Sequence, residues 1–307
     1  DQVLKDAPAS LTALRERARL LEQQAAQLRE LAVLVHHKTT LTELERVTRG
    51  KDENIDLIHA ALLLARMDNE ELEVEMYRNQ VDRIAREIAA ALPKGAGEKE
   101  KLAALNKDLF AGRGFHGSRG DYYNRANSYL NEVLEDREGL PITLSLLYME
   151  LGRRLGLKIE GVSLPGHFVV RHVPAKGKPQ LIDVFEDGKP LSRAEAEQKV
   201  RDVTGEAPHA EMFAAVGKRA ILVRMLHNLR ALTQKEGDAP SFLRYQDALL
   251  TLIPDSAEER FLRARARFET GDRAGAIADL DWLLEHNPPG VDREAITKLR
   301  RLLSRQE

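Results

Sequence analysis

Apolar residues near the start of the chain follow a helical seam. Between residues 11 and 35 they recur in alternating steps of three and four, the spacing of a helix that packs along one side. The run is shorter than about four heptads and rich in alanine, so we interpret it as an arm of an intramolecular helical hairpin or bundle rather than an intermolecular coiled coil. The seam residues are Leu11, Leu14, Ala18, Leu21, Ala25, Leu28, Ala32 and Val35.

The next segments are also helical in pattern, until the period changes after residue 155. Helices are predicted at 55–67 and 70–91, and an apolar helix opens at Pro141, where a missing N–H costs nothing. Apolar, β-branched runs at 157–164, 166–173 and 180–185 then predict strands, with a turn-rich connector at 174–179. A hairpin centred near Ala175 places His167 opposite Asp183, with Cβ atoms ~5 Å apart.

The C-terminal third repeats itself. Gly237-Asp238 recurs as Gly271-Asp272, and Pro254 recurs as Pro288, at the period of tetratricopeptide helix pairs. Two such pairs are too few to bury their own faces, so we expect the preceding domain or a final helix at 292–303 to cap them. The chain is therefore predicted to be a helix-rich α+β protein with a helical region at 1–113, an antiparallel-sheet domain at 114–217 and helical repeats at 218–307.

Composition narrows the function classes. The 47 Lys and Arg residues nearly balance the 49 Asp and Glu residues, and a net charge of −2 gives no basic footprint for nucleic acid. Apolar runs are much shorter than the ~20 residues that span a bilayer. The chain has no cysteine, which excludes disulfides, thiolate metal sites and thiol nucleophiles. Its first residue, Asp1, leaves open a removed signal peptide, a trimmed chain or a fragment, so neither a cytoplasmic nor an exported location is assigned.

The central block contains a set of motif residues: Phe115 to Gly117, Tyr123, Asn127, Ser128, Val133, Leu134, Arg137, Gly139 to Ser145, Tyr148, Leu155 to Leu157, Pro165 to Phe168, Arg171, Ile182 to Phe185, Gly188 and Leu191. Taken together, these residues resemble the SirB-type family of transglutaminase-like proteins, which has a eukaryotic relative joined to an F-box. The resemblance implies a transglutaminase or papain-like core with tetratricopeptide repeats. In enzymes of that layout a thiolate opens the helix, a histidine lies on the next strand and a carboxylate on the strand after it.

The resemblance transfers only part of a catalytic site. His167 and Asp183 match the base and its orienting carboxylate, whereas the nucleophile position falls at Pro141 or Ile142, neither of which can attack a carbonyl. Thr143 and Ser145 are the nearby hydroxyls, although a hydroxyl inside a helix usually bonds the carbonyl one turn back. Three further candidates for lining a pocket are Asn127, Arg137 and Tyr148.

These residues favour a noncatalytic function. We interpret the protein as a scaffold that receives a protein or peptide partner in the vestigial cleft or on the repeat face. The alternative is a hydrolase or acyl-transferase that uses His167 and Asp183 with a hydroxyl or an activated water. No cofactor is expected, and no metal is expected because strand alternation puts His172 on the face opposite His167. The oligomeric state is left open.

Overall fold

The computed structural model describes residues 7–304, with side chains from residue 11 onward. In this part of the chain, twelve α-helices surround a five-stranded antiparallel sheet and a short parallel strand pair. The helix-rich α+β prediction is therefore confirmed. None of the helices in this range is both long and apolar enough to cross a membrane.

The N-terminal helices match the predicted ones except the first. Helix α1 is one continuous rod, and its side chains from Leu11 to Val35 are almost all exposed. The prediction that this seam packs within the molecule is wrong, since α1 enters the core only in its last third, at Leu44. The helices are α1 (Ala7–Thr48), α2 (Leu57–Arg66), α3 (Val74–Ala90) and α4 (Glu98–Asn106), followed by a π-helical turn (Lys107–Gly112).

The sheet has the strand order β6-β5-β4-β3-β7 and lies between two apolar layers. Phe168 and Val170 face the main core, which includes helix α6 (Pro141–Arg154), while Val169 faces a smaller cluster with helix α7 (Arg193–Thr204). The strands are β3 (Ile159–Leu164), β4 (His167–His172), β5 (Gln180–Asp183), β6 (Lys189–Leu191) and β7 (Ala215–Val216). The parallel pair, β1 (His116–Gly117) and β2 (Glu138–Gly139), flanks α5 (Leu130–Asp136) and leads into α6.

A two-residue turn, Pro165-Gly166, puts His167 at the start of β4. Gly166 has a φ of 68°, and a Cβ there would lie 2.8 Å from the Val203 side chain, so glycine suits both the backbone and the space. Arg224 closes the turn from the other side by donating to the carbonyls of Leu164 (2.8 Å) and His167 (2.9 Å). The backbone around His167 is therefore held on both sides.

The C-terminal helices explain the repeated Gly-Asp pairs. Gly237 and Gly271 take positive φ values after a helix, and Asp238 and Asp272 then accept a hydrogen bond from the first turn of the next helix. The recurrence therefore marks a repeated helix end and helix start. The helices are α8 (Lys218–Glu236), α9 (Ala239–Leu252), α10 (Ala257–Glu269), α11 (Arg273–His286) and α12 (Arg293–Ser304).

The buried cores do not follow the predicted boundaries. One apolar core runs from Leu44 to Leu252 and includes helices α8 and α9, whereas α10, α11 and α12 enclose a separate cluster around Leu280. The first helix pair of the repeat region is thus part of the main body. The division of the chain into three domains at residues 113 and 217 stays a prediction from the sequence.

Candidate functional site

A histidine and a carboxylate meet at the ends of two neighbouring strands of the sheet. Nε2 of His167, the first residue of β4, lies 2.9 Å from Oδ2 of Asp183, the last residue of β5. The strand register differs from the predicted one, because Ile182 pairs with Val170 rather than with Phe168. The connector turns later than expected. The two side chains are therefore diagonal neighbours on one face, where a long side chain such as imidazole still reaches.

Asp183 is a buried carboxylate with a histidine and a lysine beside it. Its side chain is 1% exposed, and Lys199 Nζ on α7 lies 3.4 Å from the same oxygen that bonds His167. Burial alone would raise the pKa of Asp183, but the hydrogen bond from His167 and the nearby charges of His167 and Lys199 hold it below its ordinary value. Among the described residues, Asp183 Oδ1 has no hydrogen-bond partner.

The start of helix α6 has no accessible nucleophile among its side chains. Pro141 occupies the first turn, and Ile142 is 2% exposed. Thr143 and Ser145 are fully buried, and within the described part of the chain neither hydroxyl has a hydrogen-bond partner. The expectation that such a hydroxyl bonds the carbonyl one turn back is therefore wrong for both residues.

Phe185 connects the two halves of the site. A Cβ on Gly117 would lie 2.5 Å from the Phe185 ring, and Gly117 pairs with Gly139, two residues before Pro141. The same ring lies edge-on to the His167 imidazole at a centroid distance of 6.1 Å. An aromatic ring thus lies between the imidazole and the strand pair that leads into α6.

The three predicted pocket residues do not lie around a common cleft. Asn127 braces the segment before α6: its carbonyl accepts from Leu140 N (3.1 Å), and its amide donates to the Asp121 carbonyl (2.7 Å). Tyr148 is fully buried and donates to Asn106 Oδ1 (2.6 Å). Arg137 is an exposed residue with a φ of 63° at the end of α5. Tyr148 and Arg137 are therefore a core residue and a helix terminus.

Sequence reasoning missed three residues that shape the site: Lys199, Phe185 and Arg224. Lys199 and Arg224 reach it from α7 and α8, far along the chain, so no local spacing reveals them. Phe185 lies within the matched motif, but its contact with Gly117 depends on the tertiary fold.

The other two histidines considered stay apart from the pair, since His172 is on the opposite face of β4 and the His116 side chain is exposed. Among residues 7–304, no three potential metal ligands cluster.

Comparison with known proteins agrees with this architecture. The sequence profile of the transglutaminase-like superfamily matches residues 75–227, and that of the tetratricopeptide repeat matches residues 229–303. No solved structure matches the chain significantly. The molecule is thus a transglutaminase-like domain joined to tetratricopeptide helices, in a chain without cysteine.

Several curated proteins are similar over most of this length. A UPF0162 protein of Xylella fastidiosa is 35% identical over 242 residues, which cover 77% of this chain and 86% of the relative. A UPF0162 protein of Vibrio cholerae is 27% identical over a similar share. The human F-box only protein 21 is 34% identical over 57% of this chain and 29% of its own length. This chain belongs to the UPF0162 family.

Proposed function

We propose that this protein is a SirB-type, noncatalytic transglutaminase-like protein that binds a protein or peptide partner. The observation that carries the noncatalytic part is the burial of the α6 start. A nucleophile must reach the substrate and touch its base. Pro141 and Ile142 have no nucleophilic group, and the Thr143 and Ser145 hydroxyls are fully enclosed by the core.

The His167–Asp183 pair has a structural role in this proposal. It joins β4 to β5 at the end of the two strands opposite their connector, and Lys199 ties the same carboxylate to α7. Loss of His167 would leave the buried Asp183 carboxylate with one partner fewer, which costs stability. The pair therefore has a structural reason to be present even if the protein has no substrate.

The repeat region offers the surface for a partner. An apolar cavity of about 440 Å³ opens between α10, α11 and α12, and Phe261 at its wall is 39% exposed. Repeat helices commonly bind peptides on such faces. Other residues that line this repeat groove are Leu283, Val291, Ile296 and Leu299.

Peptide selection tests the binding proposal. A displayed random peptide library, panned on the purified chain, is expected to yield apolar sequences that no longer bind the variant Phe261→Glu. Phe268→Glu is the matched control, because Phe268 is on the same helix and similarly exposed (44%) but does not line the groove. Selected peptides that bind both variants equally would contradict the groove as the binding site.

A water-activating hydrolase is the second candidate, and the 2.9 Å contact between His167 and Asp183 is the observation that favours it. A catalytic base contributes ~100-fold to 10,000-fold in rate. Peptide anilides and a labelled amine test hydrolysis and transamidation. We expect no turnover from the unmodified chain. Turnover that is lost in a folded His167→Ala variant would overturn the noncatalytic proposal.

A further inference from the structure

A long run of exposed apolar side chains lies on α1. Leu14 is 62% exposed, Leu21 51% and Leu28 67%, and residues 11–35 project away from the main body. The helix is anchored to the body at His36, whose Nε2 contacts the Arg66 carbonyl (2.7 Å), and at His37, whose Nε2 contacts Asp247 (3.2 Å). A contiguous apolar stripe of this size marks an interaction site.

We propose that residues 11–28 of α1 pair with the same segment of a second copy of this chain, as an antiparallel coiled coil. The orientation follows from the sizes of the seam residues. In a parallel pair, Ala18 and Ala25 would each face their own copy and leave thin, poorly filled layers. In an antiparallel pair each of these alanines faces a leucine, so the four inner layers each have one small and one large side chain, and Leu11 faces Leu28 at both ends.

Charges beside the seam select the register. Arg15, Glu22 and Arg29 follow one another at heptad spacing, next to the leucine positions. With Leu14 against Ala25 of the second copy, and Ala18 against Leu21, each Glu22 lies beside Arg15 of the other copy. If the two helices instead overlapped one heptad nearer the main body, Glu22 would lie beside Glu22 of the second copy and Arg15 beside Arg29. Both contacts are repulsive.

The contact is large enough for a reversible dimer. The paired segment spans about 27 Å at 1.5 Å per residue. Burying its leucines and the stems beside them removes on the order of 500 Å² from each copy, near the ~1,000 Å² total that a specific interface needs. We therefore expect a concentration-dependent dimer with a dissociation constant on the order of micromolar.

Sedimentation velocity at increasing concentration tests the dimer. The unmodified chain should shift from monomer to dimer, and Leu21→Glu should stay monomeric with unchanged thermal unfolding of the body. Leu20→Glu is the matched control, because Leu20 is the adjacent residue and 42% exposed but points away from the seam. Monomer throughout, a larger oligomer, or equal loss of the dimer in both variants would overturn the proposal.

Disulfide trapping tests the orientation, and the absence of any native cysteine makes it clean. Chains with Leu14→Cys mixed with chains with Ala25→Cys should form a mixed disulfide, because these positions face each other. Each variant alone should not cross-link, since identical positions lie about 16 Å apart along the helix axis, beyond the ~7 Å Cα limit of a disulfide. Efficient cross-linking of Ala25→Cys by itself would show a parallel pair and contradict the proposed orientation.

Discussion

The two halves of the candidate site have opposite characters. On the strands, His167 and Asp183 keep the contact that a base and its orienting carboxylate need, with a third charge from Lys199. At the start of α6, where the sequence resemblance predicts a nucleophile, Pro141 and Ile142 are both buried. One half is a polar contact between two strands, and the other is packed into the apolar core.

The difference teaches that a preserved histidine–carboxylate contact is weak evidence for catalysis. The pair is buried, so its removal is penalised by desolvation of the remaining charges whether or not a substrate exists. The helix start has no such charge to keep, and apolar side chains there add to the core. Four changes test this contrast, in order of decreasing expected effect.

Asp183→Ala should cause the largest loss. Removing the carboxylate takes away the buried acceptor that His167 and Lys199 share, and we expect the free energy of unfolding to fall by ~1 to 3 kcal/mol. Urea unfolding followed by circular dichroism measures it. The control is Asp202→Ala, an exposed aspartate on the same helix as Lys199. A loss below about 1 kcal/mol, the scale of an exposed ion pair, would show that the site contributes no more than a surface contact.

Ile142→Cys restores a thiol at the vacant position and should create no enzyme. Ile142 is 2% exposed, so we expect a loss of about 1 to 2 kcal/mol from the smaller side chain. The buried thiol should react with iodoacetamide only on unfolding, whereas a thiol at the exposed position in Asp136→Cys should react at once. Mass spectrometry detects both products. An acyl adduct from a peptide ester on Ile142→Cys would mean that the cleft is still intact.

Ser145→Ala should stabilise the protein slightly. The Ser145 hydroxyl is buried without a hydrogen-bond partner in the described structure, and its removal relieves a desolvation cost of about 1 kcal/mol. Thr143→Val at the neighbouring unpartnered hydroxyl is the companion variant. Thermal unfolding should move upward in both. A drop in stability would reveal a partner for the hydroxyl and reopen its candidacy as a nucleophile.

The smallest effect is a pH dependence. Because the pKa of Asp183 is lowered on folding, the charged carboxylate stabilises the protein above its unfolded pKa of ~3.9, and this contribution is lost as pH falls through the folded value. The stability gap between the unmodified chain and Asp183→Asn should therefore shrink as the pH falls from about 5 to below about 4. Urea titrations at each pH measure it. A gap that grows toward acid pH would reverse the sign of the argument.

Local pattern predicted most of the elements. The strand segments at 157–164, 166–173 and 180–185 and the Pro141 helix appear within a few residues of their predicted limits, because period and turn residues are local signals. The spacing of His167 and Asp183 also predicted their proximity, although the register was displaced by two residues. A connector without regular structure does not fix its own turning point.

The sequence by itself excluded thiol chemistry, because the chain has no cysteine. It also determined the order of the elements, through Pro141 at a helix start and the Gly-Asp pairs at which one helix ends and the next begins. Only the tertiary structure decided accessibility and distant neighbours. It buried Thr143 and Ser145, brought Lys199 to Asp183, and left the α1 seam uncovered. The physical reason is that periodicity records which side of a helix is apolar, whereas the surface that covers this side comes from remote parts of the chain or from another molecule.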